Sequence, residues 1–345
     1  MKKVFIFIFL TGIVLRANAQ IFTQSTGGSI TLTPKGLQGS ANPGSDTTNV
    51  ALGSSALRNV TDGRRNVALG SGAMIRNTSG DNNTAIGHRV LNSNTGGSFN
   101  IAVGGSALFS NTSGSHNIAV GMSALIGNTE GNFNSALGYQ ALSGNDTGRY
   151  NTALGMNALY SNTSGNTNIA LGYSAGSGIT TGSDNTFLGH NADASSGTIS
   201  NAMALGYNAV VNVSNKVRIG NSAVTVIEGA VPFSTPSDRR LKQNILYTSA
   251  LGLNFITRLQ PASYTYIADE TNVRHDGLIA QDVEKVMQEL GLPFSGLQKA
   301  PDGRYSLAYS DFVMPLINAV KEQQQEIDEL KNQVKTLMKL VESKQ

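Results

Sequence analysis

The chain of 345 residues contains no cysteine. No disulfide framework can be drawn on it, no thiolate can act as nucleophile or metal ligand, and a lipoprotein anchor is excluded. Charge is scarce as well. Asp, Glu, Lys and Arg make up 14% of the residues, well below the quarter or so usual in soluble domains. The net charge of +3 is too small to indicate nucleic acid, and no long basic cluster is present beyond the pair Arg239-Arg240. There are only four histidines, at 88, 116, 190 and 275, and three fall in separate repeats, so neither a His-based metal site nor a cofactor is expected. Calcium-binding Gly-Gly-x-Gly-x-Asp repeats and regular Thr-x-Thr ladders are missing too. No paired carboxylates stand out as a glycosidase site. What remains is a composition suited to a repetitive surface architecture, with 39 glycines.

The N-terminus carries Lys2-Lys3, then an apolar run from Val4 to Leu15, then Ala17-Asn18-Ala19. A charged start, a short apolar stretch and a small-x-small end describe a secretory signal peptide, with cleavage expected before Gln20. The run is shorter than the roughly 20 residues that span a bilayer. No membrane span is expected after removal of residues 1–19, and the mature chain is expected to be exported, extracellular or at a cell surface. Residues 20–48, with Gly27-Gly28, Gly39 and Pro43-Gly44, form an N-terminal lead-in.

From residue 49 to 221 one pattern dominates. Asn-x-Ala-Leu-Gly recurs every 17 residues, its glycine at 53, 70, 87, 104, 121, 138, 155, 172, 189 and 206. The leading Asn stands at 49, 66, 83, 100, 117, 134, 151, 168 and 185, and Ala202 replaces it in the last copy. Each copy has a second small apolar pair, such as Ala56-Leu57, Ala107-Leu108 or Ala158-Leu159, then a turn block such as Asn77-Thr78-Ser79-Gly80. Neither apolar patch reaches helix length, and Asn, Gly, Ser and Thr interrupt any 3.6-residue period. Short strands joined by tight turns follow, with the phased glycine at a position of positive φ or close backbone approach. The expected fold is a β-solenoid or β-roll that adds one coil per repeat, ten coils reaching ~47 Å at sheet spacing. Its core of Ala and Leu is thin, which favours several chains packing around a shared axis. Val217-Arg218-Ile219-Gly220-Asn221 echoes the repeat and Val224 to Val231 is β-branched, giving an end cap and a neck or linker over 222–236.

The repeat block resembles the heads of YadA-like trimeric autotransporter adhesins, which carry comparable Asn-x-Ala-Ile/Leu-Gly coils. The resemblance implies a surface-displayed trimer; a cell-surface or glycan ligand is a possible partner, its identity left open by the sequence. Tyr139, Tyr150, Tyr160, Tyr173 and Tyr207 could stack on sugars, or be scattered exposed aromatics. Asn-Thr-Ser triplets at 77, 111 and 162 read as turn formers rather than as glycosylation sites.

Residues 237–345 read as a small α+β domain. Leu251, Leu253, Ile256 and Leu259 mark a helical segment ended by Pro261, and 263–267 alternates as a strand. His275 to Val286 runs from strand into helix, 305–309 is a second short strand, and Ser310-Asp311 is an N-cap candidate. From Val313 on, a heptad places Val313, Val320, Ile327, Val334 and Val341 at a, with Leu316, Gln323, Leu330 and Leu337 at d. That pattern predicts a coiled coil over 313–345 and hence oligomerisation, without fixing the number of chains.

At the seam, Ser237 and Lys242 stand five residues apart, in Ser237-Asp238-Arg239-Arg240-Leu241-Lys242. On an ideal helix that spacing would hold them about 140° apart, so they can meet only through a turn or across chains. Taken alone, Ser237 could equally cap a helix starting at Asp238, with Lys242 solvated. This motif, followed by Gly277-Leu278-Ile279-Ala280-Gln281-Asp282-Val283-Glu284-Lys285-Val286 and a terminal coiled coil, resembles the endosialidase-type intramolecular chaperone domains of phage tail spikes and fibres. The resemblance implies a homotrimer whose C-terminal domain templates folding and then cleaves itself off. It places the nucleophile at Ser237, its lysine base at Lys242 and the cut at Pro236–Ser237. His275 is a further polar candidate, and an uncleaved adhesive or structural trimer is the other reading.

Overall fold

A computed structural model describes residues 48–230, 236–267, 272–300 and 303–343. The expected signal peptide over residues 1–19 and nearly all of the expected lead-in over 20–48 lie outside the described residues.

The repeat region is a parallel β-solenoid of 17-residue coils. Eleven strands stack in strict chain order into one parallel sheet, from Val50–Leu52 through Val217–Ile219. Successive strands pair at a shift of one repeat, for example Ile118↔Ser135 and Ala119↔Ala136. Only the last step differs. Met203 pairs with Val217, so the closing coil is three residues short, and the repeat echo at 217–221 becomes the eleventh strand. The neck that follows carries no regular element over 222–230 and lies exposed.

Each strand is three residues long, and alternation turns the middle one inward. That residue is alanine in most coils, and the column Ala68, Ala85, Ala102, Ala119, Ala136, Ala153 and Ala170 is fully buried. The second apolar patch departs from expectation. It forms a strand only at the far end, where Asp193–Ala194 pairs with Val210–Val211. Elsewhere it is a turn. Leu57, Met74, Leu91, Leu108, Leu125, Leu142 and Leu159 sit in the left-handed region, at φ between 47 and 53°. A bulky side chain avoids that conformation unless its surroundings impose it. Here two forces do: each leucine drops into the core, and its N–H donates to the next coil, as in Leu108 to the Ala124 carbonyl at 3.0 Å. The single chain therefore closes its own continuous core of Ala and Leu columns.

The asparagines are the second structural surprise. Asn66, Asn83, Asn100, Asn117, Asn134, Asn151, Asn168 and Asn185 are fully buried and joined in a ladder. The Asn117 Oδ1 accepts the Asn134 backbone N–H at 3.0 Å, and its Nδ2 donates to the Gly131 carbonyl at 2.8 Å. A parallel ladder runs through Asn77, Asn94, Asn111, Asn128, Asn145 and Asn162, with Nδ2 to Oδ1 distances between 2.6 and 2.8 Å. The triplet asparagines 77, 111 and 162 belong to this buried ladder, which leaves them inaccessible to glycosylation in the folded chain. The phased glycine is required on both grounds foreseen for it: Gly138 has φ +141°, and a Cβ there would stand 2.5 Å from the Gly155 carbonyl oxygen.

The C-terminal unit has a separate core of Phe255, Val283, Val286, Phe294 and Phe312. Around it lie helix α1 (Leu253–Ile256), helix α2 (Ala280–Leu290), two antiparallel strand pairs and helix α3 (Val313–Glu342). One pair joins Pro261–Tyr264 to His275–Leu278, the other Leu297–Lys299 to Tyr305–Leu307. The first strand thus starts at Pro261 and ends two residues short of Tyr266, earlier than the alternation at 263–267 indicates. Proline is tolerated there because the first residue of a strand can forgo its N–H. Ser310 and Asp311 do not cap α3. They lie in a 3₁₀ turn over Tyr309–Phe312 that runs directly into the helix, and the Asp311 carboxylate instead accepts from Ser295 Oγ at 2.9 Å. Helix α3 is anchored by its first third: Pro315 and Ala319 are buried, Glu322 accepts the Leu253 N–H at 2.7 Å, and Asn318 donates to the Leu251 carbonyl at 3.1 Å. Beyond that, its heptad residues Ile327, Leu330, Val334 and Leu337 are exposed over the full length.

Candidate functional site

The seam forms a compact turn. Asp238 is the N-cap of a 3₁₀ turn at Arg239–Leu241, its carboxylate accepting the Arg240 N–H at 2.8 Å. The same carboxylate holds the Arg240 guanidinium at 2.6 Å. Hydrogen bonds from the Arg240 side chain and then from its backbone hold the Asp238 carboxyl below the ordinary carboxylate value, and the guanidinium is raised in return. Both groups are open to water, so this pairing shapes the loop rather than stabilising the domain.

Because Asp238 takes the capping role, Ser237 does not. The turn is tighter than an α-helix and swings the chain back on itself. Lys242, the residue that ends it, donates from Nζ to Ser237 Oγ at 2.7 Å. The two groups meet through a turn within one chain, one of the two routes that their spacing allows. Ser237 is also the residue on the C-terminal side of the Pro236–Ser237 bond, so its hydroxyl lies on the residue that contributes the amide nitrogen. Residues 236–250 are exposed throughout, including Leu241, Leu246 and Tyr247.

His275 is not part of this arrangement. Among the described residues it makes no hydrogen bond to Ser237 or Lys242, and its ring packs 5.1 Å from Tyr266 and 6.1 Å from Tyr264. Tyr264 is pushed up to about 12, first by its hydrogen bond with Tyr266, then by burial and by the neighbouring Tyr266, Tyr309 and Asp276. The Tyr309 hydroxyl accepts the Leu278 N–H at 2.8 Å, tying the start of α3 to this strand pair. These are structural ties.

A serine hydroxyl hydrogen-bonded to a lysine amine is a pair of groups from which a nucleophile and its base can be drawn. Residues 237–292 match the family described as chaperone of endosialidase, peptidase S74. The endosialidase-chaperone match begins at Ser237 and runs past the end of α2, so it includes both Ser237 and Lys242 and stops short of the heptad helix. The chain is similar to a solved structure, the collagen-binding domain of the Yersinia adhesin YadA. The two share 16% identity over 55% of this chain and 90% of that domain, with a TM-score of 0.32. No curated protein matches the chain.

On the solenoid, Tyr150, Tyr173 and Tyr207 stand in columns of ring contacts, while among the described residues Tyr139 and Tyr160 make no ring contact of this kind. Phe99, His116, Phe133 and Tyr150 stand one coil apart, with centroids separated by 4.9, 4.8 and 5.1 Å and planes within 19° of parallel. Tyr173, His190 and Tyr207 form a second series with edge-on rings at 5.0 and 5.4 Å. The signal for both was present in the sequence as 17-residue spacing between aromatic positions of mixed type. It becomes visible only when Phe and His are counted with Tyr.

Proposed function

We propose that the chain is an exported, homotrimeric fibrous surface protein whose C-terminal domain guides assembly and then severs itself at Pro236–Ser237. The observation that carries the self-cleavage is the 2.7 Å hydrogen bond from Lys242 Nζ to Ser237 Oγ, next to the bond to be cut. In this reading Lys242, once neutral, takes the hydroxyl proton as Ser237 Oγ attacks the Pro236 carbonyl carbon. The C–N bond then breaks and the proton passes to the Ser237 amine. The resulting Pro236 ester on Ser237 Oγ is hydrolysed by water, leaving a free carboxylate upstream and a free N-terminal serine downstream.

Lysine accepts a proton only when its neutral form is favoured, which low-polarity surroundings provide. In a single chain both groups face water, so enclosure has to come from neighbouring chains. Support for those chains comes from two exposed apolar surfaces. One is the outer face of the solenoid sheet, with Ile101, Ile118, Leu137, Leu154, Ile169 and Leu171. The other is the heptad seam of α3. Among the described residues no helix is long and apolar enough to cross a membrane.

The second reading keeps the trimer and drops the cut, and the open setting of Ser237 and Lys242 favours it. A denaturing gel of the mature chain separates the two. Self-cleavage gives two fragments divided near residue 236 that return to one band in Ser237→Ala and in Lys242→Ala. A single full-length band from the unmutated chain removes the peptidase function.

A further inference from the structure

Charge is unevenly placed along the solenoid. Residues 49–99 carry five arginines against two aspartates, whereas residues 100–201 carry Arg149 alone against Glu130, Asp146, Asp184 and Asp193. The basic excess therefore sits in the first three coils. No run in the sequence announces it, because the arginines are spread over the coils and only the stacking gathers them.

Three of them come together. Arg58, Arg76 and Arg89 lie in successive coils, each within two residues of the buried turn residue of its coil, Leu57, Met74 or Leu91. Contacts fix their neighbourhood. Asn92 Nδ2 donates to the Gly72 carbonyl, one coil back and before the turn, at 3.1 Å. The Arg89 guanidinium carbon stands 5.7 Å from the centre of the Phe109 ring, one coil on and after the turn. Arg89 thus borders the column formed by Arg58, Ile75, Asn92 and Phe109, and Arg76 follows Ile75 in it. The three arginines cover two coil steps, ~10 Å along the axis. All three are exposed, and among the described residues none forms a salt bridge. The two aspartates of these coils are engaged elsewhere: Asp81 accepts the Arg64 N–H at 2.6 Å, and Asp62 accepts from Thr61 Oγ1 at 3.4 Å. This face lies across the core from the strands, since the strand alanines and the turn leucines bury into one cluster. A trimer joined through the sheet face leaves it open.

We propose that this face binds an acidic polysaccharide, with its sulfate or uronate groups on Arg58, Arg76 and Arg89 and its sugar rings over Ile75 and Phe109. This rests on the surface-protein reading above and names the class of ligand. Guanidinium forks match the paired oxygens of carboxylate and sulfate groups. Half-buried Ile75 and Phe109 stand between the charges and give the apolar faces of sugar rings a surface to pack on. A linear polymer with acidic groups at short intervals meets all three arginines at once. Nucleic acid fits less well: three guanidinium groups neutralise few phosphates, and a net charge of +3 adds little further attraction.

The test measures binding of labelled heparin, a sulfated polysaccharide, and of labelled polygalacturonate, a polyuronate, to the full chain by fluorescence anisotropy. Neutral dextran and duplex DNA are the comparisons. The triple variant Arg58→Gln, Arg76→Gln, Arg89→Gln is expected to lose about tenfold or more in affinity for at least one acidic polysaccharide. A second triple, Arg64→Gln, Arg65→Gln, Arg149→Gln, removes the same charge from other exposed positions and is expected to stay within about threefold of the parent. Circular dichroism checks each fold, and Arg76→Gln alone, with a smaller loss, serves should the first triple fail to fold. Equal affinity of parent and first triple, equal losses in both triples, or no binding of the parent to either acidic polysaccharide overturns the site. Dextran or DNA bound as tightly through the same three arginines overturns the ligand class. Sedimentation and the denaturing gel test the trimer and the cut separately: a trimer that binds neither polysaccharide keeps that reading and loses this site, and a monomer that binds through the three arginines does the reverse.

Discussion

Two consecutive coils of the solenoid depart from the packing of the coils before them, and they offer a quantitative test of the core. In the inward strand column, Phe187 replaces alanine between Ala170 and Ala204. In the turn column, Gly176 stands where leucine stands in the preceding coils, as at Leu142 and Leu159. The two departures compensate. A Cβ at Gly176 would lie 2.6 Å from Phe187 Cδ2 and 3.0 Å from Leu159 Cδ2, so the ring fills the space that a leucine would take. Phe187 is fully buried, and Phe187→Ala should cost about 3–5 kcal/mol through lost burial and the cavity left behind. Gly176→Leu alone should cost about 1–3 kcal/mol by overpacking. The double variant restores the Ala-plus-Leu arrangement of the preceding coils. Its new leucine can adopt the left-handed geometry already present at Gly176, φ +60°, and at Leu159, φ +51°. We expect it within ~1 kcal/mol of the parent, a coupling of about 3 kcal/mol or more between the sites, at the top of the range for residues in contact. The assay is urea unfolding followed by circular dichroism for all four members of the cycle, at equal chain concentration and with the assembly state checked by sedimentation. Additive costs would refute the reasoning, since they would mean that the two positions do not share one space.

Two more predictions bear on polar groups inside the solenoid. Asn117→Ala removes the Oδ1 that accepts the buried Asn134 N–H, leaving that donor without its ladder partner. With the lost Nδ2 bonds to Asn100 and Gly131, the cost should be about 2–5 kcal/mol, and a change below ~0.5 kcal/mol in the same unfolding assay would contradict the ladder. Asp193 ends the leucine column, and burial raises its carboxyl above the ordinary 3.8 despite hydrogen bonds from the Ala194 and Gly178 N–H groups and from Ser177. A raised acid binds its proton more tightly when folded, so its contribution is greatest below the unfolded value and is lost as pH rises through the folded one. Melting temperatures of the parent should therefore fall relative to Asp193→Asn as pH rises from about 3.5 to 7; a constant difference, or the reverse trend, would contradict this.

Much of the fold was legible in the sequence because a solenoid is nearly one-dimensional. Strict 17-residue phasing of Asn and Gly states that equivalent residues stack, and the stacking follows without long-range information. The heptad of α3 and the Ser237 to Lys242 spacing were legible for the same reason, since both are local. Other features were hidden. The leucine turns could not be told from strands, because Ala-Leu pairs suit either and only the neighbouring coil imposes φ > 0 on a leucine. Asparagine read as a turn former, and its burial in ladders depends on the next coil providing the partner. The capping role of Asp238 rather than Ser237 was equally open, since both residue types cap well and the choice rests on where Arg240 and Lys242 lie.

The sequence by itself determined the period, the parallel stacking, the helical C-terminal seam and the five-residue spacing of one serine and one lysine, all of which are properties of residues close in the chain or repeated along it. Only the tertiary structure decided which asparagines are buried, that a single chain closes its own core, that Phe187 and Gly176 trade volume, and that the aromatics fall into columns beside an open apolar face. Each of these depends on what the adjacent coil places against a residue, and that contact is made across the stack rather than along the chain.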